Sequence, residues 1–155
     1  MQFIAALRQY GDLRVGGLSV EFTMLSFAII LGIVQLFLAA QFVTAERGVA
    51  WNMGPRDETP PLKSKLAGRL DRAFWNFLET FPFFAVLVLM TSVLGRHSWL
   101  TVFGSQLYVA ARVIYVPLYA FGVTGLRTLA FLAATAGILM LIASLLLPNL
   151  AMAGH

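Results

Sequence analysis

The chain has 155 residues, of which 59% are hydrophobic, and its mean hydropathy is +0.82; because soluble globular domains contain about 45–50% apolar residues, this composition indicates a membrane protein. Its net charge is +4, but the basic residues are concentrated around one loop, a distribution that reports membrane topology and argues against nucleic-acid binding. It has no cysteine, which excludes disulfides and thiolate metal sites, and its two histidines are too few to suggest a metal site.

Four apolar segments are each long enough to cross a bilayer, since about 20 helical residues span a hydrocarbon core about 30 Å thick. They cover approximately residues 22–43, 74–94, 99–121 and 128–148. The first segment has no small-residue cleavage site after it, so we expect a retained helix and not a signal peptide. The sequence therefore predicts an all-α integral membrane protein, a single-domain four-helix bundle with up-down topology.

The two ends of the chain lie outside the predicted bundle. Residues 1–20 form an N-terminal extension on the outer side, which either lies in the membrane interface or is a loose terminus. The membrane domain covers residues 21–148, and residues 149–155 form a C-terminal tail.

Basic residues are distributed unequally between the two sides of the predicted bundle. Those in or beside the first and third loops are Arg47, Arg56, Lys63, Lys65, Arg69, Arg72 and Arg127, whereas the other side has Arg8, Arg14 and Arg96. By the positive-inside rule, the first and third loops face the cytoplasm and both termini lie outside. Together with the short loops, this pattern predicts an integral protein of a bacterial inner membrane.

Two of the predicted helices carry a row of polar side chains. Each row has a spacing that puts its residues on one helix face, namely i, i+4, i+7 in the second helix and i, i+3, i+7 in the third. The rows are Arg72, Asn76 and Glu79, and Arg112, Tyr115 and Tyr119. At a rise of about 1.5 Å per residue, both rows are expected in the cytoplasmic half of the membrane.

Charged groups inside a membrane need a partner. Each costs about 2.5–3.5 kcal/mol on insertion scales, so we expect it to pair or to line a wet cavity. Glu79 and Arg112 lie at similar predicted depths and are expected to neutralise each other. A purely structural interpretation stays open, because polar groups also hold membrane helices together without a ligand. In that interpretation Arg47 and Arg127, each at the cytoplasmic end of a helix, are snorkelling anchors.

The residue types in the two rows suit a small zwitterionic molecule. Arginines bind carboxylates bidentately, whereas a glutamate and an asparagine can hold an ammonium group. The sequence offers no Ser-His-Asp set, no phosphate loop and no closely spaced pair of carboxylates for hydrolysis. Chemistry at this site is therefore expected to use a nucleophile that the ligand carries.

The same residues resemble the MAPEG family, the membrane-associated proteins in eicosanoid and glutathione metabolism. One motif is R-x3-N-x2-E-x2-P, in RAFWNFLETFP from Arg72 to Pro82, and the other is R-x2-Y-x3-Y, in RVIYVPLYAFGVTGLRTLAF from Arg112 onward. The resemblance covers about residues 20–148, with four helices in matching order. It points to a bacterial member of the family.

The resemblance implies a homotrimer that uses glutathione as co-substrate, without a metal, at subunit interfaces open to the cytoplasmic side. It implies that glutathione contacts Arg47, Arg72, Asn76, Glu79, Tyr115 and Tyr119. Arg47 would reach in from the neighbouring subunit, and Arg112 would brace Glu79. Arg127 looks like the arginine that stabilises the thiolate in catalytic members.

Some positions depart from the family pattern. Thr80 follows the glutamate where leukotriene-forming members carry a tyrosine, and Phe74 and Ile114 stand where other members have polar residues. The spacing from Tyr119 to Arg127 also varies across the family. These departures leave the second substrate undefined.

The sequence thus predicts an enzyme, a glutathione transferase or glutathione-dependent peroxidase with a role in detoxification. The thiolate of glutathione would attack an apolar electrophile, or reduce a lipid hydroperoxide, that arrives from the membrane lipids. The alternative is a non-catalytic lipid-binding or scaffold member of the same family. A transporter is less well supported, because the four helices contain no inverted repeat.

Overall fold

The computed structural model describes residues 13–147 and is almost entirely helical. Two short strands, β1 (Arg14–Val15) and β2 (Leu18–Ser19), come first. The helices are α1 (Val20–Arg47), α2 (Val49–Met53), α3 (Lys65–Val93), α4 (Trp99–Phe121) and α5 (Thr124–Leu146). All of them except α2 are long and apolar enough to cross a membrane, which confirms the predicted all-α four-helix membrane bundle. The C-terminal tail and the first part of the N-terminal extension lie outside the described residues.

The long helices extend beyond the apolar segments. α3 begins at Lys65, whereas its apolar segment was predicted to begin at residue 74. A hydropathy pattern detects only the part of a helix that contacts lipid, and the polar first turns of α3 depend instead on a cap. Ser64 Oγ accepts hydrogen bonds from the backbone N–H groups of Leu66 (3.1 Å) and Ala67 (3.3 Å). Asn76 therefore lies about 17 Å from the start of its helix.

Residues 13–19 form a small antiparallel hairpin that leads into α1. Gly16 and Gly17 connect its strands with φ angles of 58° and 85°. Positive φ at both central residues is the requirement of a type I′ turn, and glycine meets it without a steric penalty. Ser19 then caps α1, because its Oγ accepts a hydrogen bond from the Phe22 N–H at 3.3 Å.

α4 contacts each of the other long helices and packs against α5 over the largest surface. α4 and α5 approach closely at Gly104 and Gly137, where a Cβ atom on Gly137 would lie 2.5 Å from the Gly104 carbonyl oxygen. Small residues allow such backbone contact in membranes, where apolar side chains gain little by leaving lipid. One helical turn further along α4, the rings of Tyr108 and of Phe84 in α3 stack with centroids 4.1 Å apart. These contacts set the position of α4 relative to both α3 and α5.

The bundle has two chemically different ends. At the basic end α1 and α4 end and α3 and α5 begin, and there Arg69 Nη1 donates a hydrogen bond to the Ala120 carbonyl oxygen at 3.1 Å. At the hairpin end α1 and α4 begin and α3 and α5 end, and there Arg96 Nη1 donates to the Leu145 carbonyl oxygen at 2.6 Å. Each end is therefore tied by an arginine that donates to a carbonyl oxygen near the end of another helix.

Candidate functional site

Arg112 is the central polar residue of the bundle, with a relative exposure of 1%. Its Nη1 donates a hydrogen bond to Asn76 Oδ1 at 2.8 Å, and its Nη2 donates to Thr80 Oγ1. Both acceptors lie on α3, one helical turn apart, because their spacing is i, i+4. The buried guanidinium thus joins α4 to α3 through two neutral acceptors.

Three aromatic rings surround the Arg112 guanidinium. The Cζ atom lies 5.7 Å from the ring centroid of Tyr108, 5.3 Å from that of Tyr115 and 5.6 Å from that of Phe131. Aromatic faces attract a cation within about 6 Å of the centroid, and more strongly where water is absent. Rings from α4 and α5 therefore help to stabilise a charge that the membrane interior would otherwise disfavour.

The direct pairing predicted between Glu79 and Arg112 is wrong. Among residues 13–147, the one ion pair is at the other end of the bundle. Glu79 Oε2 instead accepts a hydrogen bond of 3.3 Å from Asn76 Nδ2, while Asn76 Oδ1 accepts the bond from Arg112. An amide has a donor and an acceptor, so Asn76 can connect the two charges without their contact. Glu79 remains exposed in the single chain.

Tyr115, Tyr119 and Arg127 continue the polar row toward the basic end. Tyr115 is 5% exposed, and its ring centroid lies 5.5 Å from that of Tyr119. The Arg127 Cζ atom lies 4.6 Å from the Tyr119 ring centroid. Ala73 and Ala130 pack beside Tyr115, and their small side chains leave room for its ring. One continuous row is thus formed by Asn76 of α3, Arg127 of α5 and three residues of α4, namely Arg112, Tyr115 and Tyr119.

Arg47 and Arg72 line a concave surface beside this row, a cleft of about 520 Å³ at the basic end that also includes the capped start of α3. Arg47 Nε donates a hydrogen bond to the Pro60 carbonyl oxygen at 2.9 Å. The side chain of Arg72 is exposed and lies one helical turn before Asn76 on α3. Within one chain, the predicted site residues therefore form a row and an adjoining basic cleft.

Two residues in contact with Arg112 were not among the predicted site residues. Thr80 Oγ1 accepts from Arg112, and the Tyr108 hydroxyl lies 3.2 Å from Thr80 Oγ1. Their positions in the sequence could have identified them, since Thr80 is four residues after Asn76 and Tyr108 is four residues before Arg112. The spacing i, i+4, i+8 from Arg72 would have found Thr80, and extending the second row back by one turn from Arg112 would have found Tyr108.

The arrangement combines a closed side and an open side. Arg112 and Tyr115 are buried, whereas Tyr119 and Arg127 are half-buried and Glu79 is exposed. The accessible groups are thus a carboxylate, a phenol and a guanidinium, which can meet an ammonium group and anionic groups of one ligand. Among residues 13–147 there is no group of three or more His, Cys, Asp or Glu side chains that could hold a metal ion.

Comparison with known proteins agrees with the two motifs. The model of the MAPEG family matches residues 24–147, which include all four long helices except the first turn of α1. A search of the curated proteins finds no match to the chain.

Proposed function

Because this chain belongs to the MAPEG family, we propose that it is a membrane-bound glutathione transferase that can also act as a peroxidase. The family is associated with glutathione, which supports a glutathione-related role. The observation that carries the specific proposal is the continuous row from Asn76 through Arg112, Tyr115 and Tyr119 to Arg127. In this row the accessible polar groups can contact a ligand, whereas the residues that position those groups are buried.

Glutathione is a tripeptide with one ammonium group, two carboxylates and a thiol. In the proposed complex, Glu79 and Asn76 hold the ammonium group, since the Glu79 carboxylate is exposed and oriented by the Asn76 amide. The arginines at the basic cleft, Arg47 and Arg72, bind the carboxylates. Tyr115 and Tyr119 contact the part of the tripeptide that lies between its ammonium group and its carboxylates. Arg112 is a positioning residue, because it fixes Asn76 and not the ligand itself.

Arg127 activates the thiol in this proposal. A free thiol has a pKa near 8.5, so only a few per cent is ionised at neutral pH. A guanidinium within about 4–6 Å lowers such a pKa by roughly 1–3 units. The Tyr119 ring beneath Arg127 limits where the guanidinium can lie. The thiolate then forms a C–S bond to an electrophilic carbon as the leaving group departs. With a hydroperoxide, the thiolate instead attacks the terminal oxygen, an S–O bond forms as the O–O bond breaks, and the departing alkoxide takes a proton from water to become the alcohol. The resulting sulfenic acid of glutathione then reacts with a second glutathione thiol to give the disulfide and water.

The second substrate is apolar in this proposal. A groove of about 380 Å³ lies on the lipid-facing side of α3 and α5, lined by Pro82, Phe83, Val86, Leu87, Ile138 and Ile142. Pro82 follows Glu79 by one helical turn, so the groove begins close to the polar row. This proximity supports an electrophile or a lipid hydroperoxide that enters from the bilayer.

We further propose that the chain forms a homotrimer in a bacterial inner membrane. The basic end would face the cytoplasm and both termini the outside, following the positive-inside rule. Within one chain Arg47 contacts Pro60 and Trp51 beside it and not the polar row, which supports a site that Arg47 of a neighbouring subunit completes. The expected partners are membrane lipids and two further copies of the chain. Nucleic acid is not an expected partner.

The test is glutathione conjugation to chlorodinitrobenzene by the detergent-purified full chain, with glutathione binding measured by calorimetry in the same sample. Turnover together with binding is the expected result. Binding without turnover toward this electrophile or toward a lipid hydroperoxide would indicate the non-catalytic lipid-binding or scaffold role instead. The absence of binding would contradict the proposed site altogether.

A further inference from the structure

A second cleft at the basic end lies between α1, α2 and the start of α3 and has a volume of about 450 Å³. Its inner wall is apolar. Leu36, Ala40 and Val43 share one face of α1 at the spacing i, i+4, i+7, and Phe74 of α3 completes the wall. The same face of α1 leads to Arg47 at the mouth of the cleft, about 16 Å from Leu36. The cleft is therefore amphipathic along its length.

The mouth of this cleft holds two guanidinium groups against one indole ring. The Cζ atoms of Arg47 and Arg56 lie 4.5 Å and 5.4 Å from the centroid of the Trp51 ring. Arg47 Nε donates to the Pro60 carbonyl oxygen, and Arg56 Nε donates to the Asn52 carbonyl oxygen at 3.1 Å. Neither arginine forms an ion pair within the described part of the chain. Two like charges near one ring repel each other, so the mouth favours an anion.

The surroundings of the mouth are also basic. The lining of the cleft contains one acidic residue, Asp71. The adjoining cleft shares Arg47 and Asp71 and adds four basic side chains, Lys63, Lys65, Arg69 and Arg72. Such an excess of one sign of charge in neighbouring concave surfaces raises the local concentration of anions.

The loop that forms the mouth is held in place by specific contacts. The Glu46 carboxylate accepts a hydrogen bond of 2.7 Å from the Lys63 N–H, and Trp51 Nε1 donates to the Glu58 carbonyl oxygen at 2.6 Å. Arg56 has a φ of 61°, a conformation that few residues other than glycine adopt. Backbone conformations of this kind persist where the surroundings determine them, and they cluster at ligand sites. The mouth is thus preorganised for a ligand.

We propose that this cleft binds one anionic phospholipid from the membrane leaflet at the basic end. Its phosphate lies between Arg47 and Arg56, and one acyl chain lies along Leu36, Ala40 and Val43. A soluble anion leaves the apolar wall unfilled, and glutathione has no chain to fill it. A zwitterionic headgroup carries its own cationic group, which the two arginines at the mouth would repel. Arg47 belongs to both this cleft and the proposed glutathione site, so a lipid and glutathione compete for it, whereas Arg56 belongs to this cleft alone.

Tryptophan fluorescence tests this proposal, since Trp51 and Trp75 line the cleft whereas Trp99 begins α4 at the hairpin end. In the full chain with Trp99→Phe, all tryptophan emission comes from the cleft. The protein in detergent micelles is titrated with phosphatidylglycerol that carries bromine on its acyl chains, and separately with equally brominated phosphatidylcholine. We expect saturable quenching at a mole fraction about 25-fold lower for phosphatidylglycerol, since each basic residue contributes about fivefold to anionic-lipid binding.

Variants of Arg56 connect the quenching to the mouth of the cleft. Arg56→Ala is expected to reduce the preference for phosphatidylglycerol about fivefold, whereas Arg56→Lys keeps the charge and most of the preference. Arg14→Ala is the matched control, because Arg14 is an exposed arginine at the hairpin end and its loss changes the net charge equally. This control should leave the preference unchanged.

Several outcomes would overturn the proposal. Equal quenching by both lipids would indicate general contact with the micelle, and an equal effect of Arg56→Ala and Arg14→Ala would indicate general charge attraction. Quenching by neither lipid would indicate that another copy of the chain covers the cleft. None of these measurements uses turnover, so they are independent of the proposed enzymatic activity.

Discussion

The two ends of the bundle each contain a polar cluster inside apolar helices, but the clusters differ in what they leave open. At the hairpin end, Glu21 is fully buried, and its Oε1 accepts a hydrogen bond from Thr101 Oγ1 at 2.6 Å and lies 3.2 Å from His97 Nδ1. Beside it, the hydroxyl groups of Ser98 and Ser144 lie 3.0 Å apart. These groups join α1, α4 and α5 to one another and face inward.

The row near the basic end differs because it presents polar groups outward. Arg112 is as well buried as Glu21, but the groups connected to it include the exposed Glu79 and the half-buried Arg127. A cluster whose polar groups all face each other contributes stability, whereas one with open groups can bind a ligand. Burial of the central charge therefore does not distinguish structure from function, and the exposure of its neighbours does.

The largest effect is expected from removal of the central charge of the row. Arg112→Ala leaves the Asn76 and Thr80 acceptors without their donor and should lower the free energy of unfolding by about 3–6 kcal/mol, the sum of two hydrogen bonds to a charged group at about 1.5–3 kcal/mol each. Thermal unfolding in detergent measures this loss. Val113→Ala, at an exposed neighbouring position, is the control and should change the melting temperature far less. Equal shifts in the two variants would mean that Arg112 does not brace the row.

The next largest effect is expected at the hairpin end, and it distinguishes the role of that cluster from the role of the row. Glu21→Ala removes the partner of Thr101 and His97 and should cost about 3 kcal/mol, the sum of two hydrogen bonds to a charged group at about 1.5 kcal/mol each. Glutathione turnover per folded molecule should not change, because the hairpin end is distant from the row. Glu58→Ala, which removes an exposed carboxylate, is the matched control for stability. A loss of turnover in Glu21→Ala without unfolding would contradict a purely structural hairpin-end cluster.

At the open end of the row, a substitution is expected to lower turnover and to leave stability nearly unchanged. Arg127→Ala should reduce turnover with chlorodinitrobenzene about 25-fold at neutral pH, because a thiol pKa that rises from about 6.5 to about 8.5 lowers the thiolate fraction from about three-quarters to a few per cent. The pH profile of turnover should shift upward accordingly, since the thiolate then forms only at higher pH. The melting temperature should change little, and Arg127→Lys should recover part of the activity. A parallel loss of glutathione affinity and turnover would assign Arg127 to binding and not to activation.

The smallest effect tests the residue that departs from the family pattern. Thr80→Val keeps the side-chain shape but removes the hydroxyl that accepts from Arg112, and should cost about 1.5 kcal/mol in stability. Thr80→Ser retains the hydroxyl and should cost less, so the difference between the two melting temperatures isolates the hydrogen bond. If the two variants are equally stable, the hydroxyl does not help to hold Arg112.

The sequence by itself determined the membrane bundle and the faces of its helices. Apolar runs of about 20 residues are a local property that requires no knowledge of the fold, and so is the spacing that puts Asn76 and Glu79 on one face. The start of α3 at Lys65 was missed, because its first turns are polar and depend on the Ser64 cap and not on hydropathy. Family membership also followed from local motifs.

Only the tertiary structure decided which polar groups meet. Arg112 contacts Asn76 and Thr80 and not Glu79, and Glu21 meets His97 from 76 residues away. Helical periodicity gives the direction of a side chain relative to its own axis, but the rotation and axial offset between helices depend on packing. In this bundle those offsets follow from close contacts such as that of Gly104 with Gly137, which bring α4 and α5 together at one register.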